Sequence, residues 1–185
     1  VCAALTGRIP KFGLYFDENR KAQAKVVVDA GPLSDLDYNT IGIIIGKRVG
    51  NYIPAIYGIP ATATNENLKY LGACAASSGS VALWHAVGVT PEALHGDPFE
   101  GREPVMEFAI TREMLTETEK SLCTKHPGEV DLYVTGCPHS SVAEIVKLHE
   151  LMQGRRVRKG KDMWIFTTAE ACNMMRRSGV VGDLE

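Results

Sequence analysis

The chain has 185 residues, 45% of them apolar and 23% charged, the profile of an ordinary globular protein with a sizeable core. Its formal net charge is −2, which removes the electrostatic case for nucleic acid or an anionic membrane as a partner. No apolar run reaches the roughly 18 residues that a membrane span needs.

The first residue is Val1, and no basic or apolar leader pattern follows it. The abrupt opening "VCAALTGRIP" reads as the start of a piece cut from a longer protein. There are five cysteines, Cys2, Cys74, Cys123, Cys137 and Cys172. The number is odd, the spacings are wide, and no CxxC pair or zinc-finger ladder occurs. That speaks against a disulfide framework and for a reducing cytoplasm, with most thiols acting as small core residues.

In chain order, "AKVVVDAG" (24–31) is a β-branched run stopped by Gly31 and Pro32, a predicted strand. Residues 34–49 have Ser34 as a cap and apolar residues at helical spacing. "YIPAIYGI" (52–59) is strand-like. Residues 64–76 open with Thr64 or Asn65 as cap and continue with good helix formers. "SVALWHAVGV" (80–89) reads as a buried strand, and Thr90-Pro91 as a helix start. "HGDPFEGREPV" (95–105) gathers Gly, Pro and charge, and is predicted as a loop between two subdomains. Residues 111–125 form a helix with an acidic start and a Lys finish. "VDLYVTG" (130–136) is a strand, 140–154 a helix closed by Gly154, 162–168 a strand and 168–179 a final helix. Strands that alternate with helices imply βα units, hence an α/β fold with a mainly parallel sheet flanked by helices. Near-continuous apolar strands such as "VDLYVTG" suit burial on both faces.

Ligands of such sheets bind beyond the carboxyl ends of the strands. Three stretches are candidates. In "VTGCPHSSVAEI" (134–145), Ser141 and Glu144 fit the capping-box spacing, so Cys137, Pro138, His139 and Ser140 are expected in the strand-to-helix turn. A thiolate there feels the positive helix end, which suits metal ligation or nucleophilic chemistry; a tight turn with a packed thiol is the plain alternative. In "ALTGRIPKFGLYFDENR" (4–20), Gly7 and Gly13 permit close backbone approach, and Arg8 can grip a carboxylate or phosphate; a solvated surface loop explains it equally well. It is not a Walker loop. In "CAASSGSVALWHAVGVTPEA" (74–93), Ser77, Ser78 and Gly79 fall between a helix and a strand, as if something large approached the backbone. His85, inside the strand, is either a satisfied core histidine or a ligand.

Taken together, "ALTGRIPKFGLYFDENR", "LKYLGACAASSGSVALWHAVGVTPEA" and "DLYVTGCPHSSVAEI", in this order and spacing, resemble the aconitase X family. The resemblance covers residues 3 to about 180. It implies an aconitase-superfamily-like fold and a hydro-lyase that removes water from a hydroxylated carboxylate, with an iron–sulfur cluster or mononuclear iron as Lewis acid. Bacterial members resemble cis-3-hydroxy-L-proline dehydratases, and archaeal members mevalonate 5-phosphate dehydratases. The "GCPH" cysteine matches a family metal ligand, here Cys137; the other ligands are expected outside residues 1–185. The resemblance thus makes the chain part of a catalytic domain cut short at both ends, working with a small swivelling domain or subunit that supplies the base. The candidates for gripping the substrate are Thr6, Gly7, Arg8, Ser77, Ser78 and Gly79. Ser77, Ser78, His139 and His85 are the candidates for assisting the reaction. The "TGRIPKFG" form resembles the hydroxyproline branch, whereas the "GCPH" cysteine is shared with the archaeal side, so cis-3-hydroxy-L-proline is the expected substrate and mevalonate 5-phosphate the alternative. A folded fragment unable to hold a cluster stays open, and a nucleotide-binding domain lacks the GxGxxG signature.

Overall fold

β-branched side chains at 26–28 give the chain its first strand, β1 (Ala24–Asp29), whose alternate residues Ala24, Val26 and Val28 are buried. The structure, a computed structural model, describes residues 1–124 and 128–184. The predicted last residue of helix 111–125, Lys125, lies outside them. The chain separates into two compact units, Val1–Cys123 and Thr124–Glu185. The expected boundary in the loop 95–105 is therefore misplaced; that loop belongs to the first unit.

In the first unit, a short helix α1 (Cys2–Thr6) precedes β1. Helix α2 (Asp35–Val49), strand β2 (Pro54–Tyr57), helix α3 (Asn65–Gly79) and the two-residue strand β3 (His85–Ala86) follow. Strand β4 (Met106–Thr111) and helix α4 (Arg112–Leu122) complete it. All four strands are parallel, in the order β3-β2-β1-β4. Both predicted caps hold: Ser34 with Asp37 and Thr64 with Asn67 form capping boxes. Pro91 opens only a 3-10 turn, Pro91–Ala93, and the Thr90 hydroxyl bonds Ala86 instead of capping it.

The core holds Val26, Val28, Ile41, Ile45, Ile56, Leu71, Ile110 and Leu115, each worth about 1.5–3 kcal/mol on burial. Gly42, Gly46 and Gly79 let α2 and α3 meet almost backbone to backbone. A Cβ on Gly42 would fall 2.3 Å from the Leu71 carbonyl oxygen.

Two expectations fail here. The predicted strand 80–89 shrinks to His85–Ala86, because β2 is short and offers only Ala55 and Ile56 as partners. Strand β4 goes unforeseen: "MEFAIT" alternates exposed and covered residues, a weaker signal than a continuous apolar run.

The second unit has strand β5 (Leu132–Ser140), helix α5 (Val142–Met152), strand β6 (Asp162–Thr167), helix α6 (Ala169–Arg177) and a last turn of helix α7 (Val180–Leu184). β5 and β6 pair in parallel. Two-sided burial of β5 does not hold: Val134, Trp164 and Phe166 share an open face, with Trp164 53% and Phe166 48% exposed.

Candidate functional site

The thiol-bearing stretch is extended, where a turn was expected. β5 continues through Gly136, Cys137, Pro138 and His139 to Ser140, which pairs with Thr167 after a register shift that begins at Thr135. The Thr167 hydroxyl donates to the Ser140 carbonyl at 2.6 Å and pins the far side of this bulge. Gly136 has φ 107°, and a Cβ there would stand 2.1 Å from the Phe166 carbonyl oxygen. Glycine is required because β6 passes so close. The Cys137–Pro138 peptide is cis. Cys137 is a free, exposed thiol, and His139, two residues on, is also exposed. The helix behind them is built as predicted: Ser141 Oγ accepts from Glu144 N–H at 3.2 Å, and Glu144 Oε2 accepts from Ser141 N–H at 2.7 Å. The bulge thus sits at the carboxyl end of β5.

In the first unit, Thr6, Gly7 and Arg8 finish α1. Gly7 takes φ 64° and returns its N–H to Ala3, so its conformational freedom ends a helix. Thr6 Oγ1 donates to the Cys2 carbonyl at 2.8 Å and accepts from Arg8 N–H at 3.3 Å. Arg8 is exposed, and no ion pair holds its guanidinium among the described residues.

Ser77, Ser78 and Gly79 form the last turn of α3, not a turn after it. Ser78 Oγ donates to the Cys74 carbonyl at 2.6 Å, and Ser77 Oγ to the same carbonyl at 3.2 Å. The large object that approaches this backbone is helix α2. The small residues thus have a packing reason that needs no ligand.

His85 is buried, with 4% exposure, and its Nε2 lies 2.7 Å from the Arg20 carbonyl oxygen. Arg20 in turn gives Nε to Glu92 at 3.0 Å, a second donor to the same carboxylate, and Nη1 to the Leu14 carbonyl at 2.8 Å. The Arg20 hydrogen bond holds the Glu92 carboxyl below its ordinary range. His85 starts β3, α3 ends before it, and Arg20 precedes β1. These groups therefore lie at the amino ends of the parallel strands, contrary to their expected place at the ligand-binding rim.

The carboxyl rim of that sheet carries a residue the sequence reading passed over. Arg112 Nε donates to the Ala30 carbonyl at 2.9 Å, Nη2 to Ala30 and Pro32 at 2.6 and 2.5 Å, and Nη1 to Asp37 at 2.8 Å. It locks the loop between β1 and α2 to the start of α4. Burial opposes ionisation of Asp37, but bonds from the Ser34 backbone and Arg112 outweigh it and leave the carboxyl below its ordinary range.

Comparison with known proteins adds to this geometry. The family model described as the aconitase X second domain matches residues 22–120, and that of the aconitase X third domain matches residues 130–185. The chain belongs to the aconitase X family. The two matched domains fall within the two compact units. Over 168 residues the chain is 40% identical to the phosphomevalonate dehydratase large subunit of Methanosarcina mazei, covering 91% of this chain and 39% of that protein. Over 159 residues it is 37% identical to the cis-3-hydroxy-L-proline dehydratase of Pseudomonas aeruginosa, covering 84% and 27%. The crystal structure of holo-form aconitase X from Thermococcus kodakaraensis superposes with a TM-score of 0.83 at 29% identity, covering 98% of this chain and 45% of that one. The chain therefore spans less than half the length of these relatives.

The donor chemistry does not fit a complete iron centre. Among the described residues, no three of His, Cys, Asp and Glu gather where a metal could be held. Among the described residues, every buried side-chain nitrogen and oxygen has a hydrogen-bond partner, so no orphaned polar atom there marks a missing group. Cys137 offers one thiolate. Among the described residues, no helix is long and apolar enough to cross a membrane.

Proposed function

We propose that these 185 residues are the second and third domains of a cytoplasmic dehydratase that removes water from a small hydroxylated carboxylate. The observation that carries this reading is the tandem match of both aconitase X domain models, with the exposed Cys137 thiol in the bulge of β5. In this reading Cys137 lends one thiolate to an iron or iron–sulfur centre whose other ligands come from polypeptide outside residues 1–185. A small swivelling domain or subunit is its partner; several relatives, the M. mazei protein among them, carry the name "large subunit".

The chain's own residues would serve the organic half of the reaction. Loss of the proton α to a carboxylate puts charge on that carboxylate, which cationic or N–H donors must stabilise. Arg8 is suited to this because its guanidinium is exposed and uncommitted. Thr6 and Gly7 hold the backbone that presents it. Ser77, with its hydroxyl at the surface, and His139, beside the thiol, are further candidates; Ser78, Gly79 and His85 are more deeply engaged in packing.

We take cis-3-hydroxy-L-proline as the substrate. A phosphorylated substrate needs a second anion site, and Arg112, the arginine at the carboxyl rim of the first sheet, is spent on protein contacts. A second reading, mevalonate 5-phosphate, is favoured by the 40% identity to the M. mazei protein. The deciding experiment offers both compounds to the protein expressed from its complete reading frame, with any partner subunit. Dehydration of hydroxyproline alone supports the first reading, and dehydration of the phosphorylated compound alone replaces it with the second. Turnover of neither removes the dehydratase assignment.

A further inference from the structure

The loop between α5 and β6 carries Arg155, Arg156, Arg158, Lys159 and Lys161, a dense positive patch on a chain of net charge −2. The loop is shaped by its own backbone. Arg155 N–H donates to the Met152 carbonyl at 2.7 Å and Lys161 N–H to the Arg158 carbonyl at 3.0 Å. Gly154 and Gly160, at φ 73° and 83°, make the two turns possible. Lys161 anchors the loop to the start of β5 through Asp131 at 2.6 Å and Glu129 at 3.4 Å.

Two hollows flank the Arg155–Arg156 ridge and share Met152 with it. One, of about 510 Å³, has an apolar floor of Val130, Tyr133, Met152 and Met163. The other, of about 590 Å³, is bordered by His149, Gln153 and Asp183. The acids on these walls are already engaged: Glu129 with Lys161, and Asp183 with His149 at 3.0 Å. Arg155, Arg156, Arg158 and Lys159 are exposed, and no ion pair reaches them among the described residues.

We propose that this groove docks a polypeptide segment of a partner that carries several carboxylates around one bulky apolar side chain. The apolar side chain enters the floor of Val130, Tyr133, Met152 and Met163. The carboxylates meet the guanidinium forks of Arg155 and Arg156, which bind such groups in bidentate fashion. One small molecule fills a single pocket of roughly 300–1,000 Å³. Two hollows joined across one basic ridge suit an extended chain that occupies both. The groove lies at the amino ends of β5 and β6, so its occupant is separate from any substrate at the Cys137 bulge and does not depend on the reaction proposed above.

The test uses the protein expressed from its complete reading frame and four probes at about 50 mM NaCl, where surface electrostatics are little screened. These are a fluorescein-labelled octapeptide of Glu with two Leu, an all-Glu octapeptide, ATP and a single-stranded RNA. The Glu/Leu peptide should bind in an anisotropy titration, and the double variant Arg155→Glu/Arg156→Glu should weaken it at least about tenfold. Val130→Ser, a neutral change at an exposed position, should weaken the Glu/Leu peptide and leave the all-Glu peptide unchanged. Circular dichroism of both variants should match wild type, as expected for surface changes. The proposal is overturned if the Glu/Leu peptide does not bind, or if the double variant binds it as well as wild type. It is also overturned if the all-Glu peptide, ATP or the RNA binds as tightly as the Glu/Leu peptide.

Discussion

Gly79 of α3 lies so close to Gly46 of α2 that a Cβ on Gly79 would stand 1.8 Å from the Gly46 carbonyl oxygen. The atom in the way is backbone on a buried helix, so no side-chain rotation relieves the clash. Gly79→Ala should therefore destabilise the protein by about 2–3 kcal/mol, the range of core overpacking that forces backbone to move. Gly7→Ala is the control: a Cβ there meets nothing within 4 Å, and only its positive φ opposes the change, about 1 kcal/mol. Urea unfolding of both variants gives the comparison. A Gly79→Ala midpoint equal to wild type would mean that α2 and α3 do not meet backbone to backbone at Gly46 and Gly79.

Arg112 spans three acceptors, so its loss should be felt as a lost network. Arg112→Ala should cost about 2–3 kcal/mol, because the Ala30 and Pro32 carbonyls and Asp37 lose charge-assisted bonds together. Arg112→Lys should recover less than half of that, since one ammonium cannot reach a fork of acceptors. Equal stability of the Lys variant and wild type, measured by thermal melting, would rule out the network account.

Acid should find the same groups. Asp37 and Glu92 both titrate below their ordinary values of 3.8 and 4.5 in the folded protein. A carboxyl depressed by folding adds stability that is present above the unfolded value and lost as pH falls through the folded one. The melting temperature should therefore be insensitive to these groups near neutrality and fall as pH drops below 4.5. In Glu92→Gln, which cannot ionise, that acid fall should be shallower. A steeper fall in this variant would show that Glu92 is not the group responsible.

Thiol chemistry separates Cys137 from its neighbours. In the protein expressed from its complete reading frame, Cys137→Ser should abolish both dehydration and iron content, with circular dichroism unchanged. Cys123→Ser, after the end of α4, and Cys172→Ser, within α6, should be nearly silent. The 185-residue chain alone, reconstituted without oxygen, should retain no stoichiometric iron, because one thiolate cannot close a cluster. A stable brown species with full iron content would falsify the ligand assignment.

Arg8 gives the complementary test on substrate. A truncated bidentate contact costs roughly 2–5 kcal/mol when buried in a complex. Arg8→Ala should therefore lower kcat/KM well over tenfold while unfolding like wild type, since Arg8 supports nothing else in the fold. Turnover equal to wild type would remove Arg8 from the site.

Local rules in the sequence determined the starts of helices α2 to α6 and the fold class. Ser34, Thr64 and Ser141 each cap a helix because their hydroxyls and the side chains three residues on satisfy amides within one turn, an effect with no tertiary component. The α/β class followed from the alternation of β-branched runs with capped helical segments. Three long strings in fixed order were likewise enough to place the chain in its family, since agreement over that length does not depend on geometry. The tertiary structure alone decided what the small and charged residues do. Ser78 and Gly79 look like a ligand turn until α2 is laid against them. Cys137 looks like a turn residue until Thr167 pairs with Ser140 and keeps the strand running past it. Arg20 and Arg112 are indistinguishable from Arg8 in the sequence. Partners 72 and 75 residues away, Glu92 and Asp37, engage the first two; no ion pair reaches Arg8 among the described residues. Such contacts are set by which strands become neighbours in the sheet, and pairing across that distance leaves no periodic trace in the chain.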